Sequence, residues 1–93
     1  MRAQEIYAAM VRLQLVQSQL EFSRVWLGRS ARYYSSIIAR RQQPGLGTIY
    51  ALLFRLRNTV LCMRETSTRS ALVVLIQQLD GHLALRMASS NLR

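Results

Sequence analysis

Two sharp breaks in the stretch between Phe22 and Leu56 constrain the fold of this chain most strongly. The first break is Gly28, followed two residues later by Ser30, and the second is the run Gln42-Gln43-Pro44-Gly45. Glycine commonly ends a helix, serine commonly caps the next one, and the residue before a proline is disfavoured in a helix. The first break therefore predicts two helices joined by a turn of only a few residues, which is the geometry of a helix-turn-helix.

Length and composition predict one small domain without disulfide bonds. A chain of 93 residues, of which 51% are hydrophobic, can form a single modest core. Self-association is therefore expected, because a partner subunit adds buried area. The only cysteine, Cys62, excludes a disulfide within the chain, which fits a reducing cytosol. We expect no signal peptide and no membrane-spanning segment, and hence a cytoplasmic protein.

The charge of the chain predicts a polyanionic partner. The formal net charge is +9, and all thirteen basic residues are arginines. Such a balance on a small folded domain most often indicates nucleic acid, less often an anionic membrane surface or an acidic protein. The arginines are spread along the chain rather than gathered in a tail, so the basic surface is expected to belong to the folded body.

Hydrophobic periodicity predicts five helices, covering about residues 2–18, 19–27, 31–40, 46–64 and 68–88. Ser18 with Glu21 three residues later forms a capping-box pattern for the second helix, and the segment 65–68 can cap the last one. The fold class is therefore all-α, a compact bundle of four to five helices.

The same spacing assigns faces to the helices. Tyr34, Ile37 and Ile38 form the inner face of the third helix, and its outer face is small, hydroxylated and basic. Ser23 on the second helix and Arg55 on the fourth are placed toward solvent.

The last predicted helix carries apolar residues in a coiled-coil-like repeat. The repeating positions are Leu72, Ile76, Leu79 and Leu83. Because spacings of three and four residues align apolar side chains along one side of a helix, we predict these four as the interface of a homodimer.

The stretch around the two breaks resembles the phage-repressor type of helix-turn-helix, Cro and XRE-like. The positions that match its glycine, helix cap, buried apolar residues and loop proline are Gly28, Ser30, Tyr34, Ser35, Ile37, Pro44, Leu46, Ile49, Leu52 and Leu56. The resemblance covers residues 10–58. It implies a bacterial or phage regulator, with the DNA-binding core in residues 1–66. From the apolar repeat described above, we expect residues 67–93 to form a dimerisation helix of the same domain.

Carried over by position, the resemblance implies that the third helix enters the major groove of double-stranded DNA. Base contacts would come from its cap and outer face, and phosphate contacts from the loop that follows. The residues that this assigns are Ser30, Ala31, Arg32 and Ser36 for the bases, and Arg40, Arg41, Gln42 and Gln43 for the phosphates. We also expect Arg29 and Tyr33, which adjoin the turn and the outer face, to bind DNA. The residues themselves favour the same roles, because Arg32 and Ser36 share a helix face while Arg40 and Arg41 flank a loop.

The sequence departs from the resembled pattern on the second helix and in the turn. Ser23 and Arg24 stand where a Leu-Ala pair is usual, and Arg29 where a small apolar residue is usual. These departures favour the alternative of a protein-interaction module, an anti-activator or adaptor that binds an acidic protein. A membrane-surface protein ranks third, because the arginines do not flank one apolar face.

Catalytic and metal chemistry are not expected from the sequence. The four acidic residues lie far apart, the only histidine is His82, and no Gly-rich phosphate loop is present. We therefore expect no enzyme activity, no cofactor and no metal ion.

Overall fold

The computed structural model describes the backbone of residues 2–91 and the side chains of residues 2–88. Within this range the chain forms five helices and no strand. Helix α1 is Ala3–Arg12, and α2 begins as Gln19–Glu21 and continues as a π-helical segment, Phe22–Trp26. Helices α3, α4 and α5 are Tyr33–Ala39, Leu46–Leu61 and Ser67–Asn91. The all-α prediction is confirmed, while the last two residues of the segment 67–93 lie outside this range.

Helix α1 ends earlier than its apolar spacing predicts. Its last residue is Arg12, and Gln14 then adopts a left-handed φ of 60°. The loop that follows brings Val16 into the core, where it is only 2% exposed. The apolar spacing continues past the end of the helix because loop residues bury side chains as well.

Two of the three predicted N-caps, at Ser18 and in the segment 65–68, are confirmed. The backbone N–H of Glu21 donates to Ser18 Oγ at 3.1 Å, and the N–H of Arg69 donates to Thr66 Oγ1 at 3.3 Å. Each hydroxyl satisfies one of the N–H groups that a helix leaves unpaired in its first turn. The boundaries of α2 and α5 are thus set by local chemistry.

Helices α4 and α5 pack along each other and supply more than half of the buried apolar side chains. These are Ile49, Leu52, Leu53, Leu56 and Val60 from α4, and Leu72, Leu75, Leu79 and Leu83 from α5. Helices α1 and α2 and the inner side of α3 complete the core. Within residues 2–91, no helix is both long and apolar enough to cross a membrane.

The predicted dimer interface on α5 is wrong for three of its four residues. Leu72 and Leu79 are 0% exposed and Leu83 is 5% exposed within a single chain, and only Ile76 remains partly exposed. The repeat on α5 faces α4 of the same molecule. Apolar spacing predicts a buried face but does not identify its partner.

The π-helical segment of α2 turns Ser23 into the core, contrary to the prediction that Ser23 faces solvent. The N–H of Leu27 donates to Phe22 O at 3.0 Å, so Leu27 lies over Phe22. Phe22, Ser23 and Leu27 are all buried, at 1%, 0% and 2% exposed, whereas Trp26 lies at the edge. The wider turn thus places two successive residues, Phe22 and Ser23, on the inner side.

Ser23 then joins α2 to α3. Its Oγ accepts the backbone N–H of Tyr34 at 3.0 Å, and this hydrogen bond is buried. The ring of Tyr34 packs against Phe22 and Tyr7, with ring centroids 5.4 Å and 5.0 Å apart. Helix α3 is therefore fixed to the bundle by one buried hydrogen bond and one aromatic cluster.

We predict that Ser23→Ala lowers the free energy of unfolding by about 1–2 kcal/mol, because it leaves the buried N–H of Tyr34 without an acceptor. Chemical denaturation followed by circular dichroism measures this. The matched control is Ser35→Ala, which removes an exposed hydroxyl that donates to Arg32 O. Equal effects of the two substitutions would contradict the role given to Ser23.

Candidate nucleic-acid interface

Gly28 closes α2, as predicted, in a left-handed conformation with φ of 65°. The N–H of the next residue, Arg29, donates back to Ser23 O at 2.9 Å, which completes the helix end. An ideal Cβ at Gly28 would lie 2.8 Å from Nη2 of Arg55. Gly28 is thus required for its backbone conformation, and a Cβ at this position would displace the flexible guanidinium of Arg55.

Arg55 contacts the end of α2. This corrects the prediction that its side chain faces solvent. Its Nη1 donates to Trp26 O at 3.3 Å, and the side chain is half-buried. An arginine at this position satisfies a carbonyl that the helix end leaves unpaired and complements the negative end of the helix dipole. Helix α4 and the turn after α2 therefore hold a fixed relative position.

Helix α3 begins at Tyr33, so the predictions that Ser30 caps it and that Ala31 and Arg32 lie on it are wrong. The carbonyl of Ser30, not its hydroxyl, accepts the N–H of Tyr33 at 3.0 Å. The side-chain acceptor for the first turn of α3 is the hydroxyl of Ser23 in α2, which accepts the N–H of Tyr34. Ser30, Ala31 and Arg32 instead form the turn, where Ser30 and Arg32 are exposed and Ala31 is half-buried.

Arg29 and Tyr33 form a stacked pair at the start of α3. The Cζ atom of Arg29 lies 4.9 Å from the centroid of the Tyr33 ring, which is half-buried. The guanidinium is attracted to the face of the ring. Next to this pair, Tyr34 is buried, and its burial, reinforced by Tyr7, raises the pKa of its hydroxyl above the ordinary value.

The solvent face of α3 carries small and hydroxylated side chains. Ser35 and Ala39 are exposed and Ser36 is half-buried. The backbone carbonyl of Arg32, at the N-cap, accepts the N–H of Ser36 at 2.9 Å and the hydroxyl of Ser35 at 3.1 Å. The residue itself is exposed. A helix with small side chains can approach the floor of a groove closely, and Arg and Ser can hydrogen-bond base edges.

The loop after α3 presents four exposed polar residues, Arg40, Arg41, Gln42 and Gln43. Arg41 adopts a left-handed φ of 54° at the helix end, and the N–H of Gln42 donates to Ile37 O at 2.8 Å. At the far side of the loop, Arg86 of α5 donates to Pro44 O at 2.8 Å. Both ends of this arginine-bearing loop are therefore fixed by hydrogen bonds.

Two grooves border α3. The first, of about 530 Å³, is lined by Arg2, Gln4, Ile37, Ile38, Arg41, Gln42 and Gln43. The second, of about 430 Å³, is lined by Leu27, Gly28, Arg29, Tyr33, Gly45, Gly47, Thr48 and Ala51. The contribution of Arg2 and Gln4 could not be predicted, because they come from the other end of the chain and no local pattern marks them.

The charge of this region is entirely positive. Between Glu21 and Glu65 the chain contains no acidic residue, while it carries Arg24, Arg29, Arg32, Arg40, Arg41, Arg55, Arg57 and Arg64. Among the described side chains, one arginine of this segment, Arg57, forms an ion pair, and its partner is Asp80. The turn, α3 and its following loop therefore form a surface without a compensating negative charge.

The chain belongs to a family of unknown function, DUF6626, whose family model matches residues 3–90. No curated protein and no solved structure is significantly similar to the chain. Within residues 2–91, no cluster of three or more His, Cys, Asp or Glu side chains could hold a metal ion.

We predict that Gly28→Ala destabilises the protein by about 1–2 kcal/mol through its left-handed backbone alone, and that it displaces the Arg55 guanidinium from Trp26 O. The matched control is Gly47→Ala, in the first turn of α4, where a Cβ meets no atom within 4 Å. This control should raise stability by roughly 0.5 kcal/mol, because alanine favours helix over glycine. Thermal and chemical denaturation of both variants test the prediction, and a loss of stability of the same size in both would contradict it.

Proposed function

We propose that this member of the DUF6626 family is a small sequence-specific DNA-binding protein, a transcriptional regulator that places α3 in the major groove. The observation that carries the proposal is the charge of the chain from Phe22 to Arg64, where arginines occur without any acidic residue. Four of these arginines, Arg29, Arg32, Arg40 and Arg41, are exposed around α3. Attraction of phosphates by such a surface provides the sequence-independent part of DNA affinity.

The shape of the same surface supports a division of roles. The small residues on the outer side of α3 would let the helix enter the groove, with Arg32 and Ser36 in reach of base edges. Arg40 and Arg41 directly follow α3, in a loop whose two ends are fixed by hydrogen bonds. This position suits them to phosphate contacts that orient the protein. The first turn of α4, which has no side-chain cap, adds unpaired N–H groups at the second groove.

The resemblance to the Cro and XRE-like helix-turn-helix is compatible with this proposal. The departure at Ser23 has a structural role, since a buried hydrogen bond to Tyr34 joins α2 to α3 where the resembled pattern uses apolar packing. The departure at Arg29 is accommodated by stacking on Tyr33. Both departures thus contribute contacts to the unit formed by α2, the turn and α3.

The experiment that tests the proposal is binding of the full chain to the DNA upstream of its own reading frame and to a scrambled duplex of the same composition, across a salt series. The proposal expects a preference of about 10³ or more that persists at physiological salt. Weak binding that is equal for both duplexes and collapses with salt would show only that a chain of charge +9 meets a polyanion. The protein-interaction alternative, with an acidic protein as partner, would then be preferred.

We predict that Arg32→Ala weakens specific binding by about 1–3 kcal/mol and relaxes the base preference at one position of the site. Fluorescence anisotropy with a set of single-position duplex variants measures both effects. Arg12→Ala, which removes an equal charge from the exposed end of α1, is the matched control. An equal loss on every duplex, or the same loss in the control, would remove the base-reading role from Arg32.

The substitution Arg41→Gly tests the effect of this charge on DNA binding without lowering the stability of the fold. Because Arg41 has a left-handed φ, glycine should leave the free energy of unfolding unchanged or raise it by up to about 1 kcal/mol. Loss of one phosphate contact should weaken binding to all sequences alike and lower the salt slope by about 1. Gln14→Gly, at the other left-handed non-glycine position, should bring the same relief of strain without any change in DNA binding. Unchanged DNA binding by Arg41→Gly would show that this arginine does not contact a phosphate.

A further inference from the structure

One face of α4 exposes large apolar side chains that no described residue of the chain covers. Tyr50 and Phe54 are each 63% exposed, and Leu61 is 79% exposed. Residues three, four and seven positions apart lie on the same side of a helix, so these three residues form one line, the α4 stripe, with the exposed Arg57 between Phe54 and Leu61. A soluble chain seldom leaves such a line of apolar side chains in water without a function.

An apolar groove runs beside the α4 stripe. Its volume is about 420 Å³, and it is lined by Arg57, Val60, Leu61, Val73, Ile76 and Gln77, from α4 and α5. Leu61 belongs to both features, so the ridge and the groove are adjacent. This arrangement is self-complementary, because in a two-fold dimer the ridge of each copy can enter the groove of the other.

We propose that the α4 stripe and the adjacent groove form the interface of a two-fold homodimer. The inference does not rest on DNA binding. It replaces the predicted interface on α5, of which only Ile76 is retained, as a wall of the groove.

The charge of the groove lining favours a second copy of this chain as the partner that occupies the groove. The groove lining holds a single cation, Arg57, whose Nη2 lies 3.1 Å from Asp80 Oδ1. The charge of the groove lining is therefore compensated, whereas the surface around α3 is purely basic. An acidic partner would meet no unpaired cation in the groove. Two copies of a chain of charge +9 can associate here because the charge of the groove is compensated.

The exposed apolar area of the α4 stripe approaches what a stable dimer requires. A standard interface buries roughly 800 Å² per partner, of which roughly 450–500 Å² is apolar. If a fully exposed aromatic or leucine side chain offers about 150–250 Å², the exposed parts of the α4 stripe provide roughly 400 Å². The groove walls Val73 and Ile76 add to this area.

We predict that the full chain, freed of nucleic acid, sediments as a dimer at micromolar concentrations. Leu61→Asp should weaken the association at least about a hundredfold, because the two-fold axis buries the new carboxylate twice. Phe54→Ser, a second and milder change of the α4 stripe, should also favour monomers. Sedimentation velocity measures the association, and circular dichroism verifies that each variant is folded.

The matched control is Leu85→Asp, which makes the same substitution at a leucine that is 71% exposed on the opposite side of α5. This variant should remain a dimer. Association should also persist or strengthen as salt increases, since salt screens the repulsion between two positively charged copies.

Three results would overturn the proposal. They are a monomeric wild-type chain at these concentrations, a dimer that survives both Leu61→Asp and Phe54→Ser, and a dimer that Leu85→Asp disrupts equally. Because DNA is absent from the experiment, each of these outcomes leaves the proposed DNA-binding function to be judged by its own test.

Discussion

The hydrogen bond from the N–H of Tyr34 to the hydroxyl of Ser23 is the contact on which the arrangement of the candidate interface depends. It lies in the core, at 3.0 Å, and it supplies the acceptor that the start of α3 lacks locally. The hydroxyl reaches this position only because α2 winds as a π-helix from Phe22. Helix α3 has seven residues and little intrinsic stability. Its orientation therefore depends on Ser23 and on the aromatic contacts of Tyr34 with Phe22 and Tyr7.

Features that depend on neighbouring residues could be predicted from the sequence, and features that depend on distant residues could not. The caps at Ser18 and Thr66 and the left-handed Gly28 follow from side chains or backbone within a few positions. The inward position of Ser23 required a π-helical turn and a partner eleven residues away, and neither has a local signal. The repeat on α5 did predict a buried face, but α4 of the same chain, rather than a second copy, covers Leu72 and Leu79. In the candidate interface, the exposure of Arg32 and Arg41 was predictable, whereas the stacking of Arg29 on Tyr33 was not.

The two proposed surfaces differ in kind. Around α3 the side chains are polar and the charge is uncompensated, which suits a polyanion whose binding weakens with salt. Along α4 the side chains are apolar and the single groove cation is paired, which suits an association that salt does not weaken. Arg55 and Arg86 connect the two regions, because they donate to the backbone carbonyls of Trp26 and Pro44 and so fix the segments on either side of α3. The half-buried Arg55 and Arg86 thus have a structural role, whereas the side chains of Arg32, Arg40 and Arg41 are exposed.

The proposed DNA contact lies in the turn, α3 and the following loop. An NMR titration of the isotope-labelled full chain with the duplex from upstream of its reading frame tests this most directly, because each backbone N–H reports its own surroundings. We expect the largest changes between Arg29 and Gln43. They should extend to the neighbouring Arg2 and Gln4 and leave the exposed α4 positions Tyr50 and Phe54 unchanged. Changes centred on α4 or α5, or no changes at a concentration of DNA that saturates the protein, would contradict it.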